Sequence, residues 1–423
     1  MKLNTWIAMA GMLLLASPAF AQVTGSWSGH IALPGVNLNI NVHLVDADDG
    51  LEGTIDIPQQ GATGLPLQNV MFDAPKITFE LQAGPGLATF DGTLDGDTIK
   101  GSFKQGAADV TFTLERDTAE AEDPNEAPGA VSLDTDDGTL HGTLLVPEDA
   151  AAPMPAVLII AGSGPTDRDG NTNAPTMKAA NNSLKFVAEA LAEAGIASLR
   201  YDKRGVAASM AAGLSETDLR FDRYAKDAAA WLAMLSDDDR FSTVTVLGHS
   251  EGALVGLVAM DEQPADAYVS LAGPGRPARA VIDGQLGNQL PPNLMAQATD
   301  IMDAIERGEV VSDVPDVLQS LFRPSVQPYM TSWFAHDPAA KIGALSVPAL
   351  IVQGTTDAQV PASDAKLLHK AQPNAQMHMV DGMNHVLKDV SGTIQEQLPS
   401  YSNPDLPLHD GLMPELISFV QGL

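Results

Sequence analysis

The hydrophobic pattern of this chain changes period near residue 130. From Val23 to about Arg116, apolar and polar residues alternate in short runs such as "GLEGTIDIP", "KITFELQAG", "ATFDGTLDGDTIKGSF" and "ADVTFTLERD". Alternation of period two marks strands with one buried face. The runs break at Gly, Asp and Pro, and "DADDG" and "LDGD" carry turn chemistry. A small antiparallel β domain over 22–117, barrel-like or a curved sheet, is the simplest reading. The stretch "TAEAEDPNEAPGA" at 118–130 is acidic, rich in Ala and Pro and poor in large apolar residues, and reads as a linker.

Beyond Val131 the runs become continuous. "VSLDTDDGTLHGTLLVP" predicts a hairpin, and "PAVLIIAG" is apolar throughout, as a strand buried on both faces requires. Helical spacing follows in "NNSLKFVAEALAEAG", a strand in "IASLRYDKRG", a helix in "RFDRYAKDAAAWLAMLSD" and a strand in "TVTVLG". "DAYVSLAG" and "VPALIVQG" are two further buried strands. Strands alternating with helices predict a mostly parallel sheet with helices on both faces, over 131–423. Between about 275 and 345 the alternation stops, and a Met-, Gln- and Pro-rich helical stretch reads as a cap inserted above the sheet.

Length and composition fit this two-part plan. At 423 residues and 44% apolar, the chain can bury a large core. Residues 1–21 have the form of a cleaved leader: Lys2, an apolar run from Trp6 to Leu15, and Ala19-Phe20-Ala21 as the cut site. Export to the periplasm or beyond is therefore expected, with no membrane anchor after cleavage. The absence of cysteine excludes disulfides and thiolate metal sites. A net charge of −31 argues against nucleic acid and anionic membranes as partners.

The candidate chemistry centres on "TVTVLGHSEGALVGLVAM", where Gly-His-Ser-Glu-Gly separates a strand pattern from a helix pattern. A sharp strand-to-helix turn would expose the Ser250 hydroxyl, with Gly248 and Gly252 permitting close backbone approach. The helix N-terminus would aim N–H groups at developing negative charge. A base is expected from His385, in the Gly-bearing loop "DGMNHVLKD", and an orienting acid from Asp357 in "LIVQGTTDAQVP". The chain order Ser, Asp, His is that of one hydrolase architecture. The loop "AGSGPTDRDGN" follows the first buried strand and would supply a second oxyanion donor, the N–H of Ser163, beside that of Glu251. No metal-ligand cluster is visible, and the chemistry calls for no cofactor.

These residues resemble the α/β-hydrolase superfamily. "GHSEG", "GTTDAQVP" and "GMNHVLK", with "IIAGSGPTDRDGN" and "RYDKRG" upstream, are similar to exported bacterial esterases related to serine aminopeptidases and prolyl-oligopeptidase-type catalytic domains. The resemblance runs from about Val131 to Leu423. It implies the α/β-hydrolase fold, a Ser250–His385–Asp357 triad and a helical cap. Ala161-Gly162 stands where many relatives have His-Gly, which bears on the choice of Ser163 over Gly162 or Gly164. The β domain resembles the leader domains of some of these esterases.

The expected activity is hydrolysis of small or medium acyl esters through an acyl-enzyme on Ser250. A peptidase, thioesterase or lactonase would use the same triad, and a glycan- or ligand-binding protein with a degenerate hydrolase domain is the rival of another class. The Glu251 side chain either complements the helix dipole or receives a cationic substrate group. Asp167 and Arg168, with Asp169, either line the pocket or form an ion-pair cluster. Asp202 and Arg204 read as structural, on a strand taken to lie on the far side of the oxyanion loop. Met295, Met302 and Met330 read as cap core, or else as an adaptable acyl pocket.

Overall fold

A computed structural model describes residues 22–33, 36–47, 50–57, 62–83, 86–106, 108–116, 127–148, 150–174, 177–287 and 290–423. The expected leader and most of the expected linker lie outside them. The chain divides into two compact units, 1–121 with 174–177, and 122–173 with 178–423.

The first unit is one antiparallel sheet. Its strands are β1 (Gly25–Leu33), β2 (Val36–Ala47), β3 (Gly50–Ile57), β4 (Ala62–Pro66), β5 (Gln68–Asp73), β6 (Lys76–Ala83), β7 (Gly86–Asp95), β8 (Thr98–Gln105) and β9 (Ala108–Arg116). They lie in the order β4-β3-β2-β1-β9-β8-β7-β6-β5. The Leu67 N–H donates to Gly53 O at 2.9 Å, which brings the β4–β5 corner back onto β3 and curls the sheet. Alternate residues meet inside: Trp27, Ile40, Val42, Ile77, Phe79, Phe90, Ile99 and Phe112 are all buried in one cluster. Phe90 stacks on Phe79 and meets Phe103 and Phe112 edge-on.

The second unit is an eight-stranded sheet wrapped by helices. In chain order it comprises β10 (Ala130–Thr135), β11 (Gly138–Leu145), β12 (Met154–Ile160), α1 (Ser183–Glu193), β15 (Ala197–Tyr201), α2 (Phe221–Ser236), β16 (Phe241–His249), α3 (Glu251–Glu262) and β17 (Ala267–Leu271), with the short pair β13 (Thr172–Ala174) and β14 (Met177–Ala179) between β12 and α1 divided between the two units. The cap follows as α4 (Ala278–Gly287), α5 (Pro292–Glu306), α6 (Gln319–Phe322), α7 (Gln327–Phe334) and α8 (Pro338–Gly343). The unit closes with β18 (Ala349–Gly354), α9 (Ala362–Ala371), β19 (Gln376–Val380), α10 (Ile394–Tyr401) and α11 (Met413–Gln421). The sheet order is β10-β11-β15-β12-β16-β17-β18-β19. β10, β11 and β15 pair antiparallel, and all pairs from β15 to β19 are parallel.

Successive residues of β12 explain its unbroken apolar run. Leu158 and Ile160 pack with Trp231, Leu232 and Leu254 on one face of the sheet. Val157 and Ile159 pack with Leu184, Val187, Leu191 and Phe419 on the other. A strand covered on both faces has no position for a polar alternation. In the cap, Met302 and Met330 are buried and Met295 packs against them, so these methionines are core.

From β12 the chain crosses first to β15 on one side and then to β16 on the other. Such a reversal opens a crevice at the carboxyl ends of the two strands. It also corrects one sequence expectation: "YDKRG" follows β15, the strand adjacent to β12, and so borders the oxyanion loop instead of lying on its far side.

Arg204 in that segment is structural. Its guanidinium makes two bonds to the Asp227 carboxylate of α2, at 2.7 and 2.6 Å, and a third to Ala212 O at 3.0 Å, with both side chains buried. Breaking such a pair strands a buried charge. Arg204→Met should therefore lower the unfolding free energy by about 3–5 kcal/mol in urea titrations, and a loss under 1 kcal/mol would show that the pair contributes little.

Candidate active site

Ser250 occupies the turn between β16 and α3 with φ 56° and ψ −124°, a conformation that L side chains rarely adopt. Such strain costs roughly 1–3 kcal/mol and persists only where the surroundings over-determine it. Here the Ser250 N–H donates to Leu271 O of β17, and Ser250 O accepts from the Ala253 N–H, both at 3.0 Å. The flanking glycines leave no room for a side chain. A Cβ at Gly248 would lie 2.2 Å from Gly252 O, and one at Gly252 would lie 2.3 Å from Ile160 O of β12.

The loop after β18 brings Asp357, and the loop after β19 brings His385. His385 Nδ1 lies 2.8 Å from Asp357 Oδ2, and His385 Nε2 lies 3.2 Å from Ser250 Oγ. Asp357 is saturated: Oδ1 accepts the Gln359 and Val360 N–H groups at 2.8 Å each, and Oδ2 also accepts from Gln353 Nε2 at 3.0 Å. Burial pushes this carboxyl up, but the His385 charge and bond and the two backbone donors outweigh it and leave Asp357 below its ordinary value. An ionised acceptor at Nδ1 fixes the proton there, leaving Nε2 free to accept from Ser250.

A second histidine, His249, sits beneath the first. Its Nε2 lies 2.9 Å from His385 O, an acceptor, so Nε2 carries the proton and donates. The two rings are 5.0 Å apart. Burial, reinforced by the neighbouring His385, lowers the His249 pKa to about 4, so the ring is neutral and tethers the loop that carries His385.

The loop after β12, expected to supply an oxyanion donor, is stitched to the end of β15. Lys203 Nζ, wholly buried, donates to Gly162 O and, at 2.9 Å, to Gly164 O. The Asp202 carboxylate accepts the Arg168 N–H at 2.8 Å and its guanidinium at 2.7 Å, and Arg200 pairs with Asp169 at 2.8 Å. Arg168 also donates to Thr143 Oγ1 at 2.9 Å, and Asp167 Oδ1 accepts the Asp169 and Asn171 N–H groups at 2.9 and 2.8 Å. Asp167 and Arg168 are thus bonded within the loop and to its neighbours, in keeping with the ion-pair cluster that was one of their two expected roles. Ser163 is exposed at the loop's tip, and a Cβ on the preceding Gly162 would lie 3.1 Å from Ser250 Cβ.

The Glu251 side chain faces its own chain. Its carboxylate is buried, accepts the Tyr329 hydroxyl of α7 at 3.0 Å and has Lys203 as its cationic neighbour. It is not open to a substrate amine. Lys203 escaped sequence reasoning because a lysine between Asp202 and Arg204 reads as surface charge. Its signal was position, at the carboxyl end of a buried strand, where α/β sheets build their sites.

The His249 shift has a measurable consequence. Its folded pKa lies below the unfolded 6.5, so between 6.5 and about 4 the unfolded chain binds the extra proton. The contribution is complete above 6.5 and is lost on acidification, by about 3 kcal/mol over the window. Asp167, which burial pushes up to about 6, acts in the opposite sense, so the comparison must be between variants. Urea midpoints should fall more steeply with acid for the native chain than for His249→Gln, and equal slopes would contradict the assignment.

Comparison with known proteins follows the same lines. Residues 179–388 match the family described as serine aminopeptidase, S33. Esterase EstD of Thermotoga maritima is 29% identical over 252 residues, covering 59% of this chain and 58% of its own length. The chain therefore spans a little over half of that curated relative. Among solved structures, Est1E from Butyrivibrio proteoclasticus is 19% identical over 70% of this chain and 96% of its own, with a TM-score of 0.44. The Pyrococcus furiosus esterase PF2001 is 18% identical over 61% and 82%, with a TM-score of 0.41. In its strained serine turn between a central strand and its helix, and in these sequence matches, the chain is similar to the α/β-hydrolase superfamily.

Proposed function

We propose that the protein is a serine carboxylesterase acting on small or medium acyl esters. The observation that carries this reading is the run of contacts from Asp357 through His385 to Ser250, at 2.8 and 3.2 Å, on a strained turn. Ser250 Oγ attacks the ester carbonyl while His385 Nε2 takes its proton. The Glu251 N–H at the start of α3 and the Ser163 N–H hold the oxyanion, each worth roughly 3 kcal/mol. His385 returns the proton to the leaving alkoxide, and water releases the acyl group by the same steps. Asp357 holds the imidazole and stabilises its charged form.

Amide hydrolysis by an aminopeptidase route finds less support, because the acidic side chain next in sequence to Ser250 is buried and bonded by Tyr329. A ligand-holding role for the first unit also finds less support, since large aromatic side chains fill the interior of its sheet. The Trp6–Leu15 run and the Ala19-Phe20-Ala21 site support export, with cleavage after Ala21.

The test is a chain-length series of p-nitrophenyl esters beside matched amides and thioesters. Short and medium esters should turn over fastest, and Ser250→Ala should lose the activity by about 10⁴-fold or more. Residual turnover of a tenth by Ser250→Ala, or amides cleaved as fast as esters, would overturn the reading.

A further inference from the structure

We propose that Lys203 is a positioning residue of the oxyanion hole: by gripping two carbonyls of the loop after β12 it turns the Gly162–Ser163 peptide so that the Ser163 N–H faces the reacting carbonyl. The inference rests on the esterase reading above.

In a trans peptide the C=O of one residue and the N–H of the next point in opposite directions. Lys203 Nζ holds Gly162 O, so the Ser163 N–H is directed away from Lys203. The bond to Gly164 O, at 2.9 Å, fixes the next carbonyl but one, and Pro165 after it has no N–H to offer. Of the three candidate donors in Gly162-Ser163-Gly164, this arrangement favours Ser163. The same peptide runs beside the nucleophile, because a Cβ on Gly162 would lie 3.1 Å from Ser250 Cβ.

Charge adds to orientation. A cation bonded to an amide oxygen polarises that amide and strengthens its N–H as a donor on the other side. The effect is greatest where water is excluded, and Lys203 is wholly buried, with the Tyr224 ring 5.4 Å away. An isolated ammonium there would be costly. Burial pushes the Lys203 ammonium down and the Glu251 carboxyl up, and the charge of each opposes the other's shift, while Glu251 is itself held by Tyr329 at 3.0 Å. Glu251 thus joins both donors: its backbone offers one N–H, and its side chain sustains the lysine that sets the other. Tyr329 lies on α7, so the cap is bonded to this arrangement.

The experiment compares substrate kinetics with binding of an alkylboronic acid, which becomes tetrahedral on a serine hydroxyl. Lys203→Met should lower kcat by about tenfold to a hundredfold, weaken boronate binding by the same factor and leave KM within about threefold, with melting followed alongside. A merely structural lysine would move the melting temperature and leave kcat and boronate affinity together within twofold, which would overturn the proposal. If Lys203→Met does not fold, Glu251→Gln decides. It should lower kcat and boronate affinity in parallel by a smaller factor, and no change in either would overturn the proposal. A native chain that neither cleaves esters nor binds boronate would refute the esterase reading itself. Tight native binding with unaltered variants would refute only the role of Lys203.

Discussion

The structure of the site depends on one backbone contact. The turn from β16 into α3 presses against the end of β12 so closely that Gly252 has Ile160 O where a side chain would begin, and Gly248 has Gly252 O. No other residue fits either position without moving one of these elements. The contact fixes α3 beneath the serine, holds Ser250 at a positive φ and sets the loop that continues from β12 beside Ser250. The loops from β18 and β19, which carry Asp357 and His385, then need only reach a point already defined. The strain at Ser250 is sustained by a well-packed sheet, with α3 buried along nearly its whole length.

Much of this was legible in the sequence, for reasons that differ by element. A continuous apolar run identified β12, and strand-like runs rich in apolar residues identified β15, β16, β17 and β18, although buried polar residues such as Arg200 and Thr245 interrupt them. Helical spacing did the same for α1, α2 and α5. Ser250, Asp357 and His385 stood out because each follows such a strand. Short elements without a periodic signature were not seen: the β13–β14 pair has three residues per strand, and α10 and α11 lie in the proline-bearing tail. The sequence also left β15 without neighbours. Adjacency is a property of the sheet order, and misjudging it hid Lys203. The side chains of Asp167, Arg168 and Glu251 were ambiguous for a related reason, since a charged residue near a site reads the same whether it faces substrate or its own chain.

Charge is distributed unevenly in this strongly acidic chain. Several of its few cations are buried: Arg168, Arg200, Lys203, Arg204 and Lys388 are all in the interior. Three of them fall in the five residues from Arg200 to Arg204, at the carboxyl end of β15. Arg200, Asp202 and Lys203 each bond the oxyanion loop, and Arg204 anchors the segment to α2. A glycine-rich loop has little side-chain packing to hold it. Directional, charge-assisted bonds from an adjacent strand supply the rigidity that a preorganised donor requires.

The claim on which the account turns is that Ser250 becomes acylated. Mass spectrometry of the chain after reaction with a fluorophosphonate tests it without a choice of substrate. One adduct per chain is expected, on the peptide that carries Ser250, and none on the Ser250→Ala variant. An unmodified native chain, or an adduct that survives the substitution, would contradict it.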